Sequence, residues 1–324
     1  MNKTGIQVEK ESGTGTLKNR MANVRFSVVK DNMSLLLLAL PAILYFIVFS
    51  YLPMVGVILA FKNYNYAGGI FGSPWNGLKN FEFFFKSQDA FRITRNTLLY
   101  SGSFILLGAA TSVAIALLLY EVRSKIALKF YQTSMILPRF LSWVIVSYMA
   151  YTVLNPSLGI ANQVLKAVGM EPAKWYSDPK YWPYILTIIH IWKAIGLDCI
   201  FYYSALLGID QELFEAAKID GANRWQQTLY ISVPSLFSLM TILMILAVGG
   251  IFRGDFGLFY QLPRDIGVLY PTTDIVDTYV FRGLRQGTVG VTTAIGLFQS
   301  VVGFVMVMGT NAIVRKIKPE NALF

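Results

Sequence analysis

Long uncharged apolar runs alternate along this chain with shorter polar stretches, and the runs have the length of membrane spans. A bilayer core takes about 20 apolar residues of helix. Six runs qualify: Ser34–Phe61, Leu98–Tyr120, Tyr131–Leu154, Trp182–Leu207, Val233–Phe252 and Thr288–Val314. The first contains Pro41 and Pro53, which a membrane helix tolerates, often with a kink. The third is interrupted only by Arg139 beside Pro138, and the fourth contains His190, Lys193 and Asp198. The pattern predicts an all-α integral membrane protein with six transmembrane helices. It divides the chain into a tail over 1–33, the first helix with its following loop over 34–97, a five-helix core over 98–314, and a second tail over 315–324. Inside the core, one charged amphipathic segment at 210–225 separates spans four and five.

Composition agrees with this reading. Hydrophobic residues make up 55% and charged residues 14%, against about 25% charged in soluble domains. The mean hydropathy is +0.51. The single cysteine, Cys199, lies in an apolar run, so no disulfide within the chain and no cysteine-based metal site is expected. His190 is the only histidine, which excludes histidine-rich metal sites and most Ser-His or Cys-His catalytic arrangements. No catalytic and no metal-ligating residue is expected.

Net charge is +10. On a soluble protein that would suggest nucleic acid, but here the cations cluster at the ends of apolar runs, where they set topology and meet anionic lipid. Membrane lipid is therefore an expected partner and nucleic acid is not. An anionic solute is the sharper alternative. The first 33 residues carry Lys3, Lys10, Lys18, Arg20, Arg25 and Lys30. The run after them is too long for a signal peptide and lacks a cleavage site, so a retained cytosolic tail is expected. An even number of spans places both termini in the cytosol, together with Arg123, Lys125, Lys129, Arg315, Lys316 and Lys318. The 210–225 segment then also lies in the cytosol. The loops after spans one, three and five face outward. Their many Tyr, Trp and Phe residues suit either an interfacial belt or a platform for an external partner.

The stretch "ELFEAAKIDGANRWQQTLYISVP" from Glu212 to Pro234 carries the sharpest signal. Asp210 suits a helix N-cap and Glu212 the first turn. Leu213, Phe214, Ala217, Gly221 and Trp225 recur near helical spacing and predict one apolar stripe against Glu215, Lys218 and Arg224. The small residues Ala216, Ala217, Gly221 and Ala222 allow close approach of another surface. Gly221 is also where a first helix can stop, because glycine enters the left-handed region cheaply, and Pro234 suits the first turn of the next span. The mixed polar face and small apolar face favour a docking helix over one lying in lipid headgroups.

This segment resembles the EAA motif of permease subunits of ATP-binding-cassette importers. Glu215, Ala216, Ala217, Gly221, Ile231 and Pro234 match, and Val233 replaces the usual Leu. "GSPWNGLKNF", "RNTLLYS", "LPRFLSWVIVS", "DIVDTYVFRGLRQG" and "TAIGLFQSVVG" extend the resemblance over most of the chain from Ser34 onward. They are similar to carbohydrate-importer permeases of the lipoprotein or polysaccharide subgroup, in which the larger permease of an alginate importer fits the length and charge. The resemblance implies a cytosolic coupling helix between spans four and five, with Leu213, Phe214, Glu215, Ala216, Ala217, Asp220 and Gly221 contacting an ATPase. It further implies a second homologous permease, two ATPase subunits and an extracytoplasmic solute-binding protein. Its setting would be the bacterial cytoplasmic (inner) membrane. The chain has no P-loop, so it is expected not to be an enzyme and to bind no cofactor itself, with ATP and Mg on the ATPase subunits.

Ionisable residues inside a span are expensive and mark candidate solute-path positions. Lys193 and Asp198 lie five residues apart, about 140° around a helix, and do not pair locally. Asp198 and Tyr202 share a face. Trp192, Tyr202 and Tyr203 suit stacking on sugar rings, and Lys193 and Asp198 suit hydrogen bonds to hydroxyls or, for Lys193, to a carboxylate. Arg253 and Asp255 are expected at the outer end of span five and Gln299 in span six, facing the cavity. The alternative for each is a bridge to a neighbouring helix or to the partner permease. Gly296, Ser300 and Gly303 have the spacing of close helix packing. The positive balance makes an acidic, alginate-like oligosaccharide attractive as cargo, with a neutral oligosaccharide as the alternative. An ion-coupled secondary transporter would show internal repeats, and none is evident. A membrane-embedded enzyme would need a catalytic constellation that these residues do not supply.

Overall fold

The computed structural model of the protein describes residues 32–317 and 319–322. The basic residues of the expected N-terminal tail, Lys3 to Lys30, and Lys318 near the C-terminus lie outside the described residues. The chain divides into two compact units, Met1–Val57 and Ile58–Phe324. In the first unit the apolar run forms helix α1 (Met33–Phe46), which passes through a π-helical turn at Ile47–Tyr51 into a 3-10 stretch that begins at Leu52. Pro41 is accommodated inside the α-helix, whereas the change of pitch falls at Pro53, which removes a backbone donor and crowds the preceding turn. Residues 41–55 are all exposed, an apolar surface suited to lipid or to another chain.

The second unit contains α2 (Lys79–Lys86), α3 (Gln88–Tyr120), α4 (Lys125–Ile136), α5 (Trp143–Leu154), α6 (Ile160–Ala167) and α7 (Trp182–Leu207). After them come α8 (Gln211–Ile219), α9 (Arg224–Gln227), α10 (Val233–Gly249), α11 (Phe256–Gln261), α12 (Val276–Arg285) and α13 (Val289–Ile317). At 1.5 Å per residue α3 is about 50 Å long, longer than a hydrocarbon core of about 30 Å. Its polar first turns, capped by Ser87 accepting from the Ala90 N–H, therefore project beyond that core.

Among the described residues, five helical stretches are long and apolar enough to cross a membrane, and the sixth expected span differs from a straight helix. The run Tyr131–Leu154 is two helices bent by 100°. α4 tightens into a 3-10 turn at Leu137–Phe140 that contains Pro138. Leu141 and Ser142 are then extended (ψ 134° and 152°), and the Ser142 hydroxyl caps α5 by accepting from the Ile145 N–H. Proline at the tight turn and serine as a ready N-cap stop one helix and start another. An apolar count cannot register that.

α3 and α7 form the most extensive pairing, and two dry blocks lie along it. One gathers Tyr100 of α3, Val146 and Ala150 of α5, Trp182 and Leu186 of α7, Leu258 and Phe259 of α11, and Ile275. The other gathers Val113, Ala116 and Leu119 of α3, Cys199, Tyr202 and Leu206 of α7, and Leu236 of α10. Between the blocks, α7 touches α4 at Gly196. A Cβ there would lie 1.8 Å from the Met135 carbonyl oxygen.

A buried ionic knot fixes the first block. Asp274, 1% exposed, accepts from Arg282 at 2.5 Å and Arg92 at 3.1 Å. Thr278 donates to the same carboxylate and Asn96 donates to the Asp274 carbonyl. The Thr97 hydroxyl accepts from the Val276 N–H. "RNTLLYS" and "DIVDTYVFRGLRQG", distant in sequence, are thus two sides of one contact. Burial pulls the Arg282 guanidinium down, and Asp274 beside it more than offsets this, holding it above its ordinary value. Asp277 moves the other way: burial raises its carboxyl above the usual range against the Gly254 N–H and the Gln299 amide.

Gly196→Ala is expected to cost about 1–3 kcal/mol through overpacking. Gly102→Ala in α3, whose new Cβ meets nothing within 4 Å, should be neutral or stabilising by up to about 1 kcal/mol. Thermal unfolding of the detergent-solubilised variants distinguishes the two.

Candidate functional site

Two features bear on function: the helix pair α8–α9 and a polar seam between the dry blocks. In the first, the Asp210 side chain accepts from the Glu212 N–H and starts α8. Gly221 ends it in the left-handed region at φ 82°. The Ala222 N–H returns to the Ala217 carbonyl and the Gly221 N–H to Lys218, a glycine-terminated helix end that satisfies the last carbonyls. A reciprocal Asn223–Gln226 capping box then opens α9, and a π-helical turn at Thr228–Ser232 leads into α10. Positions 211–232 thus form a corner of two helices joined by a short, hydrogen-bonded turn at 220–223.

The predicted single stripe is split. Phe214, 8% exposed, turns inward and meets the Tyr120 ring at 6.2 Å, while its neighbour Leu213 is 53% exposed. Adjacent helical residues lie about 100° apart, so one anchors the helix and the other faces out. The outward face carries Leu213, Glu215, Ala216, Asp220, Gly221 and, more exposed than any of these apolar groups, Ile219 at 86%. Ala217 is half-buried and Trp225 exposed. Ile219 was missed because the stripe was drawn through Gly221. Gln211 donates to the Tyr120 hydroxyl, and Arg224 pairs with Glu121 at 2.7 Å. The corner is therefore pinned to the end of α3, beside Arg123, Lys125 and Lys129.

In the second feature, three cavities meet at His190. One, of about 310 Å³, is lined by Phe104, Ser112, Asp198, Tyr202 and residues of α10. A second, about 300 Å³, runs past Thr97, Tyr100, Ser101, Arg253 and Asp255. A third, also about 300 Å³, is enclosed by Arg139, Trp143, Lys193, Ala194 and Asp255. His190 lines all three and stacks on Phe104 with ring centroids 3.8 Å apart and 7° between planes. The Lys193 ammonium donates to the Arg139 carbonyl at 3.1 Å and lies 4.8 Å from the Trp143 ring centroid. Trp143 in turn sits on Gly257, where a Cβ would come within 2.1 Å of the indole.

The structure brings together Lys193, Asp198, Tyr202, Arg253 and Asp255. It sets three expected residues apart from the seam. Trp192 lines a separate apolar cavity with Val146 and Met149. Tyr203 packs on the dry block around Leu206. Gln299 donates to the Phe252 carbonyl and to Asp277, a helix-to-helix bridge instead of a cavity-facing amide. Gly303 is a close-packing position against the Gly249 carbonyl, whereas a Cβ on Gly296 would meet nothing and Ser300 is exposed. Sequence reasoning missed Arg139, Trp143 and His190 as seam residues. The available signal was a charged and a titratable residue inside apolar runs.

Residues 105–319 match the family of binding-protein-dependent transport system inner membrane components. The chain belongs to that family. It is thus a multi-pass permease of the inner-membrane type, a transport subunit. It is 35% identical to Protein LplB of Bacillus subtilis (strain 168), over 91% of this chain and 92% of that one. It is 34% identical to the polygalacturonan/rhamnogalacturonan transport system permease protein YteP of the same organism, over 89% of each. Its fold is similar to a solved bacterial ABC transporter involved in import of the acidic polysaccharide alginate, with TM-score 0.83, 33% identity, and 90% and 99% of the two chains covered. A second structure of a bacterial alginate ABC transporter, in complex with an alginate pentasaccharide-bound periplasmic protein, matches with TM-score 0.82 at 33% identity, over 90% of this chain and 97% of that one.

If Phe214 anchors the permease's helix pair, Phe214→Ala should cost about 3 kcal/mol of local stability. That corresponds to about a hundredfold faster hydrogen exchange of the Leu213–Ile219 amides, with exchange in α3 and α7 unchanged.

Proposed function

We propose that this permease forms one half of the translocation path of an ATP-driven, binding-protein-dependent importer of oligosaccharides that carry uronate groups. A second homologous permease supplies the other half. Two separate ATPase subunits bind ATP and Mg and receive the outward face of α8 in a cleft, and an extracytoplasmic solute-binding protein delivers cargo. The observation that carries the reading is the α8–α9 corner. It presents Leu213, Glu215, Ala216, Asp220 and Gly221 outward on a helix that Phe214, the Arg224–Glu121 pair and the Gly221 turn hold rigidly to α3. A rigid lever with a small, mixed face transmits a push from outside the membrane into the spans, where a loose loop would absorb it.

Topology follows from charge. Glu121 meets Arg224, so the Arg123–Lys129 cations share an end with α8. The Ser238 hydroxyl bonds Asn321 at 2.6 Å, which brings the C-terminal segment beside α10. The cytosolic side attracts such basic ends, which supports a cytosolic setting for α8 and for the segment beside α10.

The acidic cargo is supported by the +10 net charge, by cations beside the seam, and by the relatives named for polygalacturonan and for alginate. Fixed positive charge at a cavity raises the local concentration of anionic solute.

Gly221→Asp is expected to abolish transport in a reconstituted complex while ATP hydrolysis continues, since a bulky anion in the left-handed position disturbs both the turn and the docking face. Normal transport by Gly221→Asp would refute the coupling role. For the cargo, titration of the cognate solute-binding protein is expected to show at least tenfold tighter binding, about 1.4 kcal/mol, of an oligogalacturonate than of its neutral methyl ester. Equal binding would leave a neutral oligosaccharide as the cargo.

A further inference from the structure

The Arg139 guanidinium is exposed, and it makes no hydrogen bond or ion pair among the described residues. It nevertheless sits within an apolar run, at a level set by its own carbonyl, which the Lys193 ammonium reaches near the middle of α7. A cation at that depth costs about 2.5–3.5 kcal/mol even on the lenient insertion scale, and the carboxylates available to offset it, Asp198 and Asp255, line the same seam without bonding it. Arg92 and Arg282, by contrast, are neutralised by Asp274. The break in the third span also exposes the N-terminal end of α5. Ser142 satisfies the Ile145 N–H, and the remaining first-turn donors carry the positive end of the helix dipole. His190 adds a buried Nδ1 without a hydrogen-bond partner.

We propose that this break is a carboxylate-reading subsite of the translocation path. Arg139 and Lys193 hold a uronate carboxylate of the passing cargo, His190 meets a neighbouring hydroxyl, and Asp255 is the resident counter-anion that the uronate replaces. The inference rests on the reading of the chain as a permease for acidic oligosaccharides and names the residues that recognise the acid group.

The geometry supports each role. Arg139, Lys193 and Asp255 line one cavity of about 300 Å³, large enough for a sugar ring. Trp143 forms its wall and carries the Lys193 cation on its ring face, which holds that cation at the cavity. Asp255 accepts from the Leu258 N–H at 3.2 Å as the N-cap of α11. That bond holds its carboxylate in place beside the cations without requiring them as partners. Neither Asp255 in this cavity nor Asp198 in the adjoining one is hydrogen-bonded to Arg139, so the guanidinium is free to take the carboxylate of an arriving cargo.

The test uses the whole transporter reconstituted in proteoliposomes with its binding protein, assaying uptake of labelled trigalacturonate. Arg139→Gln and Lys193→Gln should each raise the half-saturating concentration of loaded binding protein about tenfold and flatten its dependence on salt. Arg139→Lys should stay within about threefold of the parent. Asp255→Asn should shift it the opposite way, towards tighter handling, a gain that misfolding cannot produce. Unchanged concentration and salt dependence in both glutamine variants would overturn the subsite while leaving acidic cargo intact. If the parent transporter takes up only neutral oligosaccharides, the cargo reading and the subsite both fall.

Discussion

The rule that governs this structure is that hydrocarbon supplies no partner for a charge or a free backbone group. Each polar element of the permease must therefore find its partner within the protein or line a cavity. Asp274 meets two arginines. Lys62, 3% exposed, has no carboxylate and donates instead to the Ile70 and Phe71 carbonyls at the end of a one-turn helix. The broken third span gives its Arg139 carbonyl to Lys193. Four ionisable groups, Arg139, His190, Asp198 and Asp255, instead line the cavities of the seam.

That division explains how one chain both moves and holds together. The block around Trp182, Leu258 and Ile275 is locked by the Asp274 knot. The block around Ala116, Leu206 and Leu236 is built from interdigitated apolar side chains and continues into the Phe214–Tyr120 contact at the helix corner. Packed blocks move as rigid bodies. Phe214 and Arg224 join α8 to the end of α3, the contacts through which the proposed coupling would act. The polar seam is lined by cavities, so relative movement there breaks less close packing than movement within a block.

Much of this was legible in the sequence because it follows from counts and spacing. Runs of apolar residues located the spans, Asp210 and Gly221 marked the ends of α8, and the quoted stretches carried the family. What escaped depends on the orientation of single residues. Leu213 and Phe214 are both apolar, and only the packing against Tyr120 tells the anchor from the outward residue. Pro138 and Ser142 are ordinary in membrane helices, so the 100° bend is invisible until the Ile145 N–H finds the serine hydroxyl. Gln299 and Trp192 carried suitable chemistry but turn to a carbonyl and to an apolar wall. Arg139 was noticed as an interruption of a span when it was in fact the clearest sign of the seam.

Accessibility of the seam tests the account most directly. Cys199, the only cysteine of the chain, is fully buried in a dry block and serves as an internal control. Single cysteines placed at Ser101, Asp198 or Asp255 in the assembled transporter should react with a charged, membrane-impermeant thiol reagent. Cysteines at Leu186, Leu206 and Leu236 should stay unreactive, like Cys199, and the seam positions should change their rate when ATP is added. Equal reactivity in seam and blocks, or a seam closed to the reagent with and without ATP, would contradict the division of the protein into two dry blocks and a solute path.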